Sequence, residues 1–135
     1  MPAKKRFVLD TSAVLAFRND EHGADRVQAL LEQAGRGQCE LLASFMTRME
    51  LLYGIRREEG DAAARDALRL LDSLPISWIS CAPEILEIAA RIKSAGRISV
   101  GDSWIGATAV VHEATLVHRD PEFTAIEDLR QEILS

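Results

Sequence analysis

The sequence predicts an α/β fold, a three-layer α/β/α sandwich around a mostly parallel central sheet. Short apolar runs of strand length recur at Phe7-Val8-Leu9, Leu41-Leu42-Ala43, Ile76 to Ile79 and Thr115 to Val117. Between them lie longer stretches whose apolar residues repeat at helical spacing. Apolar strands alternating with helices belong to a parallel sheet covered on both faces. At 135 residues, 47% of them hydrophobic, the chain suits a single domain, residues 1–135, with material for a real core. It shows no repeat, low-complexity segment or linker.

The first strand, Phe7 to Leu9, breaks at Asp10, and Thr11 to about Arg18 forms a short helix closed by Asn19-Asp20. Val27, Leu30, Leu31 and Ala34 then mark a helix ending at Gly35. After the second strand a long helix places Phe45, Met49, Leu52, Tyr53 and Arg56 on or beside one stripe and ends near Gly60. Asp61 is positioned to cap the next helix, whose inner face carries Ala64, Leu68 and Leu71. Pro75 closes that segment ahead of the third strand. Pro83 sits in the first turn of a helix that faces Ile85, Leu86, Ile88, Ala89 and Ile92 inward and ends at Gly96. Asp102 to about His112 is a further helix, Thr115 to Val117 the fourth strand, and Asp120-Pro121 a turn. The last segment fits two forms: Ile126, Leu129 and Ile133 a helix, or Leu129, Gln131 and Ile133 a strand.

Sixteen basic against 21 acidic residues give a net charge of −5, the wrong sign for holding nucleic acid by bulk attraction, so any such role is local. Cys39 and Cys81 are isolated and read as reduced, buried thiols. The opening MPAKKR resembles a signal n-region, but Asp10 cuts the apolar stretch behind it after three residues. No run approaches the roughly 20 apolar residues of a membrane span, and the expected compartment is the cytoplasm.

Four acids carry the functional question. Asp10 is a helix N-cap or a reacting carboxylate. Glu50 completes a capping box with Thr47, stands in solvent, or turns inward. Asp102 is a cap or a first-turn acid favoured by the helix dipole, and Asp120 a turn former or a site acid. If the first and fourth strands are neighbours, Asp10 and Asp120 emerge side by side, and the helix beginning at Asp102 feeds the same edge. Clustered carboxylates raise one another's pKa unless a cation fills the centre. Oxygen-only ligands select a hard ion, Mg²⁺ or Mn²⁺, whose natural chemistry here is phosphodiester hydrolysis.

FVLDTSAVLA, MELLYG, GDSWIGATA and LVHRDPEF, in that order and spacing across the chain, resemble the PIN-domain ribonucleases, most closely the VapC-type toxins of toxin–antitoxin pairs. The resemblance implies a single α/β/α domain, Mg²⁺- or Mn²⁺-dependent endoribonuclease activity, homodimerisation and inhibition by a cognate antitoxin. By motif it assigns Asp10, Glu50, Asp102 and Asp120 as metal-site acids in that order. It also gives Thr11 and Ser12 the hydroxyl positions that orient the first acid or a metal-associated water. One position departs from the pattern. Two residues before the fourth acid, where family members often have threonine or serine, this chain has His118, read as a strand-end packing residue.

Without the four acids, 16 basic face 17 acidic residues, so much of the negative excess is site charge. Arg56, Arg57, Arg97 and Arg119 are the candidate RNA-phosphate contacts. Tyr53 and Trp104 are expected in the core rather than stacked on bases. His112 is expected on a helix surface and His22 in a loop. Three competing readings are a metal-free ribonuclease using His112 and His118, a receiver-like signalling module phosphorylated on Asp10, and a catalytically silent PIN-fold adaptor.

Overall fold

The computed structural model describes residues 3–135. In chain order the elements are β1 (Arg6–Leu9), α1 (Thr11–Arg18), α2 (Ala24–Gly35), β2 (Glu40–Ser44), α3 (Phe45–Glu59) and α4 (Asp61–Ser73). There follow β3 (Ser77–Ile79), α5 (Pro83–Ala95), α6 (Val100–Val111), β4 (Thr115–His118), a 3-10 turn (Pro121–Ala125) and β5 (Gln131–Ile133).

The five strands form one sheet in the order β3-β2-β1-β4-β5, and every pairing is parallel. Each strand therefore points its carboxyl end the same way. β1 lies between β2 and β4, with Val8 opposite Leu42 on one side and Leu116 on the other. A receiver-like order would put the third strand beside the first. Here β4 takes that place, which overturns the receiver reading.

Alternation along the buried strands divides the core into two layers. Phe7, Leu9, Leu41 and Val117 face α1 to α4, meeting Val14, Leu30, Leu51 and Leu71. Val8, Leu42 and Leu116 face the opposite way, against Ile105 and Ala109 of α6 and Phe123 of the 3-10 turn. α5 covers α6 through Ile85 and Ala89 on Ala107. This is the expected three-layer sandwich.

Local differences from the sequence reading have clear causes. The buried stripe of α3 is Thr47, Leu51 and Ile55, the face that packs on α1 and α4, while Met49 and Tyr53 lie on the opposite side and are exposed. Tyr53 is thus not in the core; the Arg57 guanidinium lies over its ring at 5.6 Å. Trp104 is half-buried and meets Phe45 edge-on at 5.3 Å. α4 buries Ala67 where Leu68 was expected, and α5 leaves Leu86 in solvent. Asp61 caps nothing: Gly60, at φ +96°, precedes the helix, and Asp61 pairs with Arg56 and Arg65. Cys39 is buried, but Cys81 is exposed. The ambiguous last segment is a strand, and pairing with β4 fixes it: Leu116, Val117 and His118 stand beside Gln131, Glu132 and Ile133.

Candidate active site

The carboxyl edge of the sheet, at β1 and β4, is where the strand order turns back, the position at which open α/β sheets bind ligands. Asp10 leaves β1 in an extended conformation, its N–H donating to the Val117 carbonyl of β4 at 3.0 Å. Its Oδ2 accepts the Ser12 N–H at 3.0 Å and the Ser12 hydroxyl at 2.5 Å. Asp10 does cap α1, and the cap fixes its carboxylate at the strand edge. Ser12 Oγ in turn accepts the Arg119 N–H at 2.9 Å, tying the exit of β1 to the exit of β4.

Glu50 is brought in by α3. The N-cap of that helix is Ser44, whose Oγ accepts the Met46 N–H at 3.1 Å, so the Thr47–Glu50 capping box does not form. Thr47 lies fully buried inside the helix. Glu50 instead accepts the Thr11 hydroxyl at 2.6 Å, and Thr47 Oγ1 stands 3.3 Å from Thr11 Oγ1. A Cβ at Gly101 would come within 3.0 Å of Glu50 Oε2, so the bare Gly101 backbone lets α3 and α6 bring their acids together.

Asp102 sits in the first turn of α6, and Ser99 is the cap, its Oγ accepting the Asp102 N–H at 3.1 Å. Asp120 follows β4, accepts the Glu122 N–H at 2.9 Å and donates its own N–H to His118 Nδ1 at 3.1 Å. Carboxylate oxygens of Asp102, Asp120 and Glu122 all lie within 4.8 Å of one another. Glu122 is the acid sequence reasoning missed. The available signal was the Asp-Pro-Glu spacing: Pro121 opens a 3-10 turn that holds residues 120 and 122 together. Its Oε1 accepts the Ser99 N–H at 2.9 Å, joining this turn to the start of α6.

The electrostatics follow from this close grouping. Burial pushes the Asp102 carboxyl up to about 9, helped by the Glu122 and Asp120 carboxyls within hydrogen-bonding reach and by the charges of Asp10 and Asp120. Burial likewise raises Asp10, opposed by its Ser12 bonds and reinforced by Asp120. Burial raises Glu50, opposed by the Thr11 hydroxyl and reinforced by Asp10 and Asp120. Asp10, Glu50 and Asp102 thus hold their protons more tightly than free carboxyls do, because burial and the neighbouring acids disfavour the charged forms. A donor set of crowded carboxylates in this condition fits a hard divalent cation.

The four proposed RNA-contact arginines separate. Arg56 pairs with Asp61, and Arg57 covers Tyr53; both lie at the far end of α3 from Glu50. Arg119 adjoins Asp120, its guanidinium 3.7 Å from Glu21. Arg97 lies in the loop before α6, beside a cleft that reaches Glu122. His118 is fully buried, with Nε2 2.8 Å from Gln131 Oε1 and its ring against Phe123, as its packing reading required. His112 ends α6, at the opposite end of that helix from Asp102, and its carbonyl accepts from Arg6. The two histidines therefore cannot share one acid–base site.

Residues 7–129 match the family described as PIN domain. No curated protein matches the sequence. Among solved structures, the chain resembles one in VapBC-1 from nontypeable Haemophilus influenzae at 26% identity and TM-score 0.74, covering 95% of this chain and 97% of that one. It resembles a chain in VapBC2 from Rickettsia felis, solved bound to a promoter DNA fragment, at 20% identity and TM-score 0.79, covering 96% and 99%. It also resembles Mycobacterium tuberculosis VapC20, described as a sarcin–ricin loop cleaving toxin, at 14% identity and TM-score 0.67, covering 88% and 93%.

Proposed function

The chain belongs to the PIN domain family, and from that premise we propose that it is a Mg²⁺- or Mn²⁺-dependent endoribonuclease of the VapC type, the toxin of a type II toxin–antitoxin pair. The observation that carries this is the convergence of Asp10, Glu50, Asp102 and Asp120 from four separate elements onto one strand edge, with three of the acids raised in pKa by burial and mutual repulsion. Asp10, Asp102 and Asp120 would hold the ion directly, with Glu50 completing the charge. A bound divalent ion supplies neutralisation of the attacked phosphate and activation of water for in-line displacement.

The chain's own residues supply the rest. Ser12 holds Asp10 through two hydrogen bonds and anchors the Arg119 backbone, so the first and fourth acids keep a fixed separation. Thr11 keeps Glu50 turned inward with a bond to the ionised carboxylate. The α6 N-terminus, capped by Ser99, opposes part of the rise in the Asp102 pKa and so eases release of its proton to an incoming cation.

A cognate antitoxin is the proposed protein partner, supported by the likeness to chains of VapBC complexes. A homodimer is the proposed assembly, with exposed Met49, Tyr53 and Leu86 as apolar surface for a second copy to cover. Among the described residues no helix is long and apolar enough to cross a membrane. Cytoplasmic RNA is the proposed substrate.

Purified protein freed of any copurifying partner, incubated with a structured RNA, should cleave in Mn²⁺, be silent in EDTA, and be silent as Asp10→Asn. Cleavage surviving both EDTA and that substitution would reject the metal-site reading. A wild type that fails to bind Mn²⁺ would leave a silent adaptor.

A further inference from the structure

Between the C-terminal end of α5 and the 3-10 turn lies a cleft of about 510 Å³, within the roughly 300–1,000 Å³ range of small-molecule sites. Its apolar wall is Ile92, Ile98 and Ile126, and Arg91 and Arg97 line it with their guanidinium-bearing side chains. Among the described residues Arg91 and Arg97, like Arg36, Arg57 and Arg130, form no ion pair, whereas the other eight arginines do, and of the five unpaired ones only Arg91 and Arg97 line this cleft. The cleft is continuous with the acid cluster: Glu122 lines it and also stands within 4.8 Å of Asp102 and Asp120. Glu122 faces the acid cluster and accepts the Ser99 N–H at the inner end of the cleft, and Glu127 is the second acid lining it beside the two arginines.

A wall of branched apolar side chains beside two uncommitted guanidiniums suits a ligand that is flat and apolar on one part and anionic on the other. We propose that this cleft is the subsite for a nucleotide adjoining the scissile phosphate of single-stranded RNA. The base lies on Ile92, Ile98 and Ile126, and the flanking phosphates meet Arg91 and Arg97. The assignment rests on the ribonuclease reading and adds the place where the strand is held. Guanidinium forks match phosphate geometry, and a wall of aliphatic side chains covers the face of a base by apolar contact without reading its edges.

The test measures affinity for a short fluorescein-labelled single-stranded RNA by anisotropy, in an Asp10→Asn background that prevents cleavage, beside Mn²⁺ affinity by calorimetry in the native background. Arg91→Ala/Arg97→Ala should weaken RNA binding about tenfold and flatten its salt dependence by about 0.7 in log–log slope for each phosphate no longer neutralised. Ala125→Trp, which fills the cleft from an exposed position, should weaken it comparably, and Glu127→Gln should tighten it. All three variants should keep wild-type Mn²⁺ affinity. If the arginine pair and the Ala125→Trp variant bind RNA as the parent does while the native protein binds Mn²⁺ and cleaves, the subsite is wrong and the nuclease reading stands. If the native protein neither binds Mn²⁺ nor cleaves, both fall. Displacement of the RNA by polyglutamate at equal residue concentration would assign the cleft to an acidic peptide and overturn the RNA assignment.

Discussion

The Asp120 N–H donates to His118 Nδ1 across 3.1 Å, tying the backbone of a site acid to a fully buried ring. Because Nδ1 accepts, Nε2 carries the proton and donates to Gln131 Oε1 at 2.8 Å, while Gln131 Nε2 donates to the Phe123 carbonyl at 3.0 Å. The network runs from Asp120 through β4 to β5 and back to the 3-10 turn. At the position where the family often has a short hydroxyl, this chain thus has a side chain that reaches an edge strand.

Amide isosteres separate the two ends of the ring. Asparagine places an oxygen near Nδ1, and glutamine a nitrogen near Nε2. His118→Asn should therefore retain the Asp120 bond and keep Mn²⁺ affinity and cleavage rate near wild type. His118→Gln should lose that bond and fall roughly tenfold in both, the scale of outer-shell metal-site changes. Calorimetry and initial rates decide it; equal loss in the two variants would reduce His118 to core packing.

The fold class was legible in the sequence because strands buried on both faces leave continuous apolar runs, and Phe7-Val8-Leu9 and Leu41-Leu42-Ala43 have little other use; the strand order was not, since pairing joins residues far apart in the chain. Helix faces were less legible. In α3, Met49 and Tyr53 are large and apolar yet exposed, and the core contact falls to Thr47, Leu51 and Ile55, a choice set by neighbouring helices that one-dimensional periodicity does not contain. Caps slipped for a similar reason: Ser44 and Ser99, each three residues ahead of the expected cap at Thr47 or Asp102, satisfy the amides first. The four acids were legible as a spaced set. Glu122 was not, since its approach to Asp102 depends on a turn joining distant elements.

Thr11→Val tests how Glu50 is held. It removes the 2.6 Å bond that opposes the rise of the Glu50 pKa, so that pKa should climb further. Hydrogen bonds to charged groups contribute about 1.5–3 kcal/mol, so kcat/KM should fall at least about tenfold at low pH. The acid limb of the rate profile should move to higher pH, with partial recovery toward pH 9. A uniform loss at every pH would mean that Thr11 acts on fold rather than on Glu50.

Metal-free stability should fall as pH rises. Asp102, at about 9 in the folded chain, binds a proton that the unfolded chain releases near 4, and Asp10 and Glu50 are raised in the same direction. The folded state therefore holds more protons between those limits, and unfolding free energy declines through that window. In EDTA the thermal midpoint should be lower at pH 8 than at pH 5. Asp102→Asn should raise the midpoint at pH 8 by several degrees and by clearly less at pH 5, because the penalty it removes grows with every pH unit above the unfolded pKa. Mn²⁺ should reverse the order, because it binds the deprotonated acids of the folded state alone. A metal-free midpoint that climbs from pH 5 to 8 would contradict the crowding of these carboxyls.

Gly106 shows how closely α6 approaches the segment after the 3-10 turn. A Cβ there would lie 2.9 Å from Ile126 Cδ1, the flexible end of a half-buried side chain. Gly106→Ala gains about 1 kcal/mol of helix propensity. It also incurs overpacking of about 1–3 kcal/mol, so the single variant should be neutral to destabilised by about 2 kcal/mol. Ile126→Val removes the Cδ1 atom that the new methyl meets. In that background the same Gly106→Ala change should stabilise by close to the full propensity gain, giving a coupling energy of about 1 kcal/mol or more in a denaturant-melt double-mutant cycle. Additive effects would mean that α6 moves to admit the methyl, and the contact with Ile126 would then not set the spacing between α6 and the 3-10 turn.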